Sequence, residues 1–412
     1  MGQSFRRWPW WLKSLSWWSR FPVSFARCKE LRNRKLMQQW QGFVVSWAGS
    51  LKSSRQDEQD LFEFQEFRSS KIMNKNFFST VTLALCCCAV SPAGAQTNNP
   101  MMKAIVIHEY DGPEALKYED APRPEPKDNQ VLVKVIAAAV NPVDAMIRSG
   151  KYARVFGTTL PLIPGYDIAG IVEKSGAKVT RFKPGDAIYA YPMWGGGYAE
   201  YDVVDETETA LKPKSINFVE AAAVPLAALT AWQALIDAAK LSPGQTVLIH
   251  GGSGGVGSFA IQIAKTRGAK VIATASTPNQ EFLKQLGADV AVDYTKQKFE
   301  DVARDVDVVL DSVGKDTLAR SYGVVKKGGF IATLVARLDQ AELDKHGIRG
   351  ASISVKPNGA QLAEIGKLID DKKIRPIVSE ALPLTDAVRA QEQAATHHTR
   401  GKIVLKVAEE PK

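Results

Sequence analysis

Cysteine is absent from residues 102–412, because all four cysteines of the 412-residue chain, Cys28, Cys86, Cys87 and Cys88, come earlier. That absence excludes a disulfide framework and a thiolate zinc site from the body of the protein. A surplus of one charge sign is missing there too. Residues 102–412 hold 39 Lys/Arg against 38 Asp/Glu, while residues 1–72 hold 13 against 6, so most of the formal net charge of +9 lies in the leader. A near-neutral body lacks the basic footprint that nucleic-acid binding needs, and no nucleic-acid partner is expected. What remains, 45% hydrophobic and 24% charged, is the composition of an ordinary globular protein.

The first hundred residues differ from the rest. Residues 1–72 hold seven of the nine tryptophans, many arginines and no clean periodicity. They are read as an unstructured leader or an over-extended reading frame. Met73 opens another pattern: Lys75, an apolar run over 77–90, then Ala93-Gly94-Ala95 before Gln96. This is the layout of a secretory signal peptide, assigned to 73–95. The run is short of the ~20 apolar residues that span a membrane. A start at Met73 implies a periplasmic or secreted product; a start at Met101 or Met102 implies a cytoplasmic one.

The body is expected to be α/β. Short β-prone runs at 103–108 and 131–140, separated by prolines over 122–126, begin a β-rich segment with turns at Pro164-Gly165, Lys183-Pro184-Gly185-Asp186 and Gly195-Gly196-Gly197. Short strands with frequent turns read as a small barrel-like domain. Residues 221–240 have helix formers with apolar residues at helical spacing. Strands and helices then alternate, which argues for βαβ units and a parallel sheet. Residues 403–407 read as a final strand returning to the first domain.

The strongest motif is Gly252-Ser253-Gly254-Gly255-Val256-Gly257, overlapped by a GxxGxxG through Gly251, Gly254 and Gly257. It follows an apolar strand at 246–250 and opens an amphipathic stretch, the context of a dinucleotide fingerprint. Glycine permits the tight turn, and the helix N-terminus offers N–H groups and a positive dipole end to a pyrophosphate. The strand that follows ends in Thr274, Ala275, Ser276 and Thr277, with no carboxylate before Glu281. An NAD site wants an acidic residue there. Hydroxyls tolerate a 2′-phosphate, so the expected cofactor is NADP(H), with Ser276 and Thr277 among its contacts.

On these motifs the body resembles the zinc-free quinone oxidoreductases, the ζ-crystallin-like branch of the medium-chain dehydrogenase/reductase superfamily. The similarity runs through 109–116, 138–152, 164–190, 197–201, 221–235, 243–265 and 400–405. It implies a GroES-like β-rich domain (102–226), a Rossmann doubly wound parallel-sheet domain (227–355) and a C-terminal return to the first domain (356–412). It also implies NADPH in the cleft, a homodimer through the Rossmann domain, and hydride transfer to an electron-poor small molecule, a quinone or an α,β-unsaturated carbonyl. An enoyl-thioester reductase and a non-catalytic NADPH-binding protein of crystallin or sensor type are the alternatives. Zinc relatives carry Cys, His and Cys where this chain has Asn141, Tyr166 and Leu226, which implies zinc independence.

By the same resemblance Asn141 lies near nicotinamide and substrate, Tyr152 offers a phenol to the substrate, Thr230 contacts the nicotinamide end, and Tyr294 flanks the 2′-phosphate. Three of these residues also have a plainer role. Asn141 can cap the turn at Pro142, Tyr152 can pack at the cleft rim, and Tyr294 can be a strand-end aromatic. Two positions depart from the family pattern: Met146 replaces a tyrosine, and Gln280 replaces a lysine near the 2′-phosphate. Arg400 or the His397-His398 pair are candidates for the missing charge.

Overall fold

In Gln130–Ala139 (β3) every residue but Gln130 and Lys134 is buried, or all but one of its core span 131–139. A strand so apolar on both faces belongs inside a sheet rather than at its edge, and β3 has three strand partners. It pairs with Ile168–Ser175 (β4), Tyr201–Asp205 (β6) and Lys402–Lys406 (β15). The computed structural model describes residues 100–411, so the leader and signal-peptide assignments lie outside the described residues. The sheet built on β3 runs in the order β14-β15-β3-β4-β5-β7, with β6 off that path. Its other strands are Ala187–Ala190 (β5), Thr209–Leu211 (β7) and Val378–Pro383 (β14). Met101–Ile107 (β1) and Leu116–Pro122 (β2) form a separate antiparallel hairpin.

The second sheet is wholly parallel. It comprises Thr246–Ile249 (β8), Lys270–Ala275 (β9), Val290–Asp293 (β10), Val306–Asp311 (β11), Val325–Thr333 (β12) and Arg349–Ser352 (β13). Their order is β10-β9-β8-β11-β12-β13, which is the 3-2-1-4-5-6 order of doubly wound dinucleotide folds. The strand order reverses between β8 and β11, so the loop that leaves β8 opens at the switch point, where such folds bind ligands.

Residues 221–240, expected as one helix, are three pieces: Phe218–Ala222, Pro225–Trp232 and a π-helical stretch, Gln233–Ala238. Pro225 has no N–H to continue the first helix, and it starts the second at the position proline favours. The middle piece is apolar nearly all round and buries Ala227, Ala228, Leu229, Thr230 and Ala231. Its small side chains let it lie against the helices Gly255–Thr266 and Gly359–Asp370. One continuous core includes Ala137 and Ala169 of the first sheet, Leu229, and Val247, Ile249 and Ala273 of the second. The chain then passes through the helix Gly359–Asp370 into β14 and β15.

Candidate functional site

The glycine loop is a packed object. Gly251 has φ +68°, a left-handed conformation that favours glycine. A Cβ on Gly257 would stand 2.2 Å from the Gly251 carbonyl oxygen, and one on Gly252 would meet Leu283 at 2.9 Å and Ala273 at 3.1 Å. These two glycines therefore serve close packing of helix on strand. Gly254 is different: it caps the helix Gly255–Thr266 in extended conformation, and the nearest atom to its Cβ position is 3.5 Å away. The open side of the loop is thus at Gly254, where a phosphate can approach free N–H groups. Val256, half-buried, packs against the core. From below, buried His250 bonds Thr274 Oγ1 at 3.2 Å and Ser321 Oγ at 3.0 Å. Burial pushes its imidazole down to about 4, so this brace is neutral near pH 7.

At the end of β9 the structure adds a neighbour that the sequence does not show. That region is free of carboxylates in sequence but not in space. Exposed Thr277 donates its hydroxyl to Asp293 Oδ2 at 2.6 Å, and hydrogen bonds from Thr277 and Thr295 hold the Asp293 carboxyl down to about 2. Ser276 Oγ accepts from Asn279 Nδ2 at 3.2 Å. Gln280 spends its amide on the carbonyls of Ala275, Ser276 and Val292. Tyr294, at the end of β10, is 56% exposed. The cation comes from far along the chain. Arg400 donates to Asn279 Oδ1 and to the Pro278 carbonyl, both at 3.0 Å, and its guanidinium lies 4.8 Å over the Phe282 ring. His397 and His398 make no such contact with this turn; His398 Nδ1 bonds the carbonyl of Thr396.

Of the residues expected on the substrate side, Asn141 belongs to a buried polar network that sequence reasoning missed. Asn141 is 2% exposed. Its Nδ2 donates to Asp167 Oδ2 at 2.8 Å and to the Ala139 carbonyl at 3.3 Å, and its Oδ1 accepts from Lys402 Nζ. Asn141 is also the N-cap of the helix Pro142–Arg148, in a capping box with Asp144, whose Oδ2 accepts the Asn141 N–H at 2.7 Å and the Tyr198 hydroxyl at 3.0 Å. Burial pushes the Asp144 carboxyl up to about 7 against the pull of these donors and of Lys402. Asp167 also accepts from the Leu226 N–H at 2.6 Å. Burial pushes its carboxyl up, while Lys402, Asn141 and Leu226 pull it back. The spacing Asn141-x-x-Asp144 is a legible capping pattern; nothing local points to Lys402. Thr230 lies on the buried helix, its hydroxyl bonded to the Leu226 carbonyl at 2.7 Å. Half-buried Tyr152 precedes the short helix Ala153–Phe156.

Lys402 joins the two halves of this cleft. The stem of its side chain lies against the glycine loop, 2.9 Å from a Cβ position on Gly255. Gly401 beside it donates its N–H to the Ser253 carbonyl at 2.8 Å and bridges Gly254. Asn141, Tyr166 and Leu226 supply neither thiolate nor imidazole, the usual zinc ligands, and a lysine side chain already donates to Asn141 and Asp167.

Residues 127–214 match the alcohol dehydrogenase GroES-like domain family, and residues 286–405 match the zinc-binding dehydrogenase family. The chain is 40% identical over 317 residues to an NADPH-dependent alkenal/one oxidoreductase of Arabidopsis thaliana chloroplasts, covering 74% of this chain and 79% of the relative. It is 37% identical over 356 residues to a 2-methylene-furan-3-one reductase of Solanum lycopersicum, covering 82% and 89%. The chain belongs to the medium-chain dehydrogenase/reductase superfamily. Among solved members, the quinone oxidoreductase of Coxiella burnetii superposes with a TM-score of 0.70 at 36% identity, over 74% of this chain and 99% of that one. The first sheet is thus the GroES-like domain of the superfamily and the parallel sheet its Rossmann-type domain, and the protein is an oxidoreductase.

Proposed function

We propose that the protein is an NADPH-dependent, zinc-independent reductase of α,β-unsaturated carbonyl compounds and quinones. The observation that carries this reading is the junction at Lys402, which links the glycine loop to the buried cluster of Asn141 and Asp167. The relatives' names, alkenal/one oxidoreductase and quinone oxidoreductase, point to the same electron-poor acceptors. When bound, the nicotinamide supplies the hydride; the protein supplies position and a water-poor cleft. In this reading the loop of Gly252, Gly254, Gly255, Val256 and Gly257 receives the pyrophosphate on its Gly254 side, with Gly252 and Gly257 packing the loop closed, Thr230 lies at the nicotinamide end, and Ser276, Thr277 and Tyr294 flank the 2′-phosphate. Arg400 supports the last assignment, since Asp293 close by would repel that phosphate without a cation. Asn141 faces the reacting end, and Tyr152 offers its phenol to the acceptor.

Steady-state oxidation of NADPH by enones and quinones, after dialysis against a chelator, tests the proposal. Both acceptor classes should turn over at rates the chelator leaves unchanged. NADPH should bind at least about tenfold more tightly than NADH, roughly the 1.4 kcal/mol that one charge-assisted bond supplies. Arg400→Ala should erase that preference. Turnover that depends on added zinc, or equal affinity for both cofactors, would overturn the reading.

The same proposal includes export from a Met73 start and a homodimer through the Rossmann-type domain. The apolar run at 77–90 before Ala93-Gly94-Ala95 supports the first; the second rests on β13, which ends its sheet and pairs only with β12 among the described strands. Native mass spectrometry of the protein from its own host reads both. A product beginning at Met1, or a monomer mass, removes the corresponding part.

A further inference from the structure

Lys402 is a buried charge that the proposed chemistry leaves without a task. Its side chain is 6% exposed and that of its partner Asp167 is fully buried. Nζ faces three acceptors: the Val140 carbonyl at 2.9 Å, Asp167 Oδ2 at 3.1 Å and Asn141 Oδ1. Three acceptors use all three protons of an ammonium, whereas a neutral amine would turn its lone pair toward one of them.

We propose that Lys402 is a positioning residue that fixes the orientation of the Asn141 carboxamide. The inference rests on the reading that Asn141 lies at the reacting end. Both Nδ2 protons of Asn141 are spent, on Asp167 and on the Ala139 carbonyl. Oδ1 takes one proton from Lys402 and faces the backbone of Asp144 in the capping box. The carboxamide is therefore fixed with its donor side on Asp167 and Ala139 and its acceptor on Lys402. This orientation depends on the ammonium. With Lys402 replaced by an uncharged side chain, Asp167 has no counter-charge and takes up a proton. A protonated Asp167 donates, and the carboxamide turns its Oδ1 inward to accept. Because the Lys402 stem packs on Gly255 and Gly401 is bonded to Ser253, Asn141 is held in register with the cofactor loop as well as in orientation.

Three variants of the full chain test this: Lys402→Met, Lys402→Met combined with Asp167→Asn, and Asn141→Ala. Each is measured for thermal unfolding, NADPH affinity by fluorescence, and kcat with the best acceptor found. Lys402→Met forces the buried Asp167 to take up a proton and should unfold at lower temperature; the double variant replaces the carboxyl with a neutral amide and should recover most of the loss. The double variant should nevertheless keep kcat about 10- to 100-fold below wild type, the usual effect of losing a partner that orients a site residue, with NADPH affinity within about twofold. Recovery of kcat together with stability in the double variant would reduce Lys402 to a counter-ion and overturn the inference. A fall in NADPH affinity matching the fall in kcat would also overturn it, by assigning Lys402 to the cofactor. Asn141→Ala separates the two levels. Wild-type turnover there removes the reading of Asn141 itself. Impaired turnover there, with a fully active double variant, removes only the role of Lys402.

Discussion

Gly257→Ala should raise the Kd for NADPH by at least about 100-fold, or about 2.7 kcal/mol. The added methyl carbon would stand 2.2 Å from the Gly251 oxygen, 2.7 Å from Gly252 Cα and 2.9 Å from the Gly251 carbonyl carbon. All three are backbone atoms and cannot swing aside as a flexible side chain does. Relief requires the loop to open, yet it is tied down by Gly252 N–H to the Thr274 carbonyl at 2.9 Å and by Gly401 N–H to the Ser253 carbonyl at 2.8 Å. Overpacking of this kind costs about 1–3 kcal/mol even in side-chain cores, and a displaced loop also loses the aligned N–H groups that meet the anion, at about 1.5–3 kcal/mol for each bond to a charged group. Gly254→Ala is the control. Its Cβ has no neighbour within 3.5 Å and its φ of −77° suits any residue, so the cofactor-free protein should unfold at the wild-type temperature. Any lost affinity in that variant arises only where the phosphate itself must approach. Fluorescence titration and thermal unfolding of both variants check the pair; NADPH binding by Gly257→Ala within threefold of wild type would contradict the packing argument.

Tyr152→Phe should lower turnover of an enone by about 10²-fold or more while NADPH affinity is unchanged, the low end of what general acid–base help supplies. Hydride addition to the β-carbon leaves charge on the carbonyl oxygen and the α-carbon, and a proton must reach that carbon. A phenol at the acceptor stabilises the charge as it forms, an interaction made in the transition state rather than in the ground state. Quinone reduction is less demanding, since the reduced oxygens take protons from water, and the same variant should lose less than about tenfold there. The ring remains, so packing barely changes. Comparison of kcat and KM for the two acceptor classes separates this from a binding effect. Equal turnover by the Phe variant on every accepted substrate would leave Tyr152 as a wall of the cleft.

Much of the fold was readable because it is local. Strands such as Val306–Asp311 are apolar runs bounded by turn residues, and the glycine loop sits where a strand meets a helix. β13 escaped because Arg349-Gly350-Ala351-Ser352 has no apolar run; it is an edge strand held by backbone bonds to β12. The break at Pro225 was visible as a residue, but helical spacing continues on both sides and masks it. The site was less legible, because its decisive contacts join distant segments. Asp293 meets Thr277 from the neighbouring strand, and Arg400 reaches Asn279 from 121 residues away. Asn141 was found by resemblance, but the partner that orients it, Lys402, lies 261 residues further on, and no periodicity connects them.

The place of β15 in its sheet bears on the order in which the protein is built. This strand lies between β14 and β3, in the interior of the sheet rather than at its rim. On a ribosome, β3, β4 and β6 emerge early, and one edge of β3 at Ala137–Ala139 must wait unpaired until the whole Rossmann-type sheet has been made. An exposed apolar strand edge is a template for pairing with another chain, and long-range pairing of this kind is slow and open to aggregation. The same late strand carries Gly401 and Lys402 to the glycine loop. A nascent chain therefore has no finished cofactor site, and NADPH is expected to stabilise only molecules whose last strand is already in place.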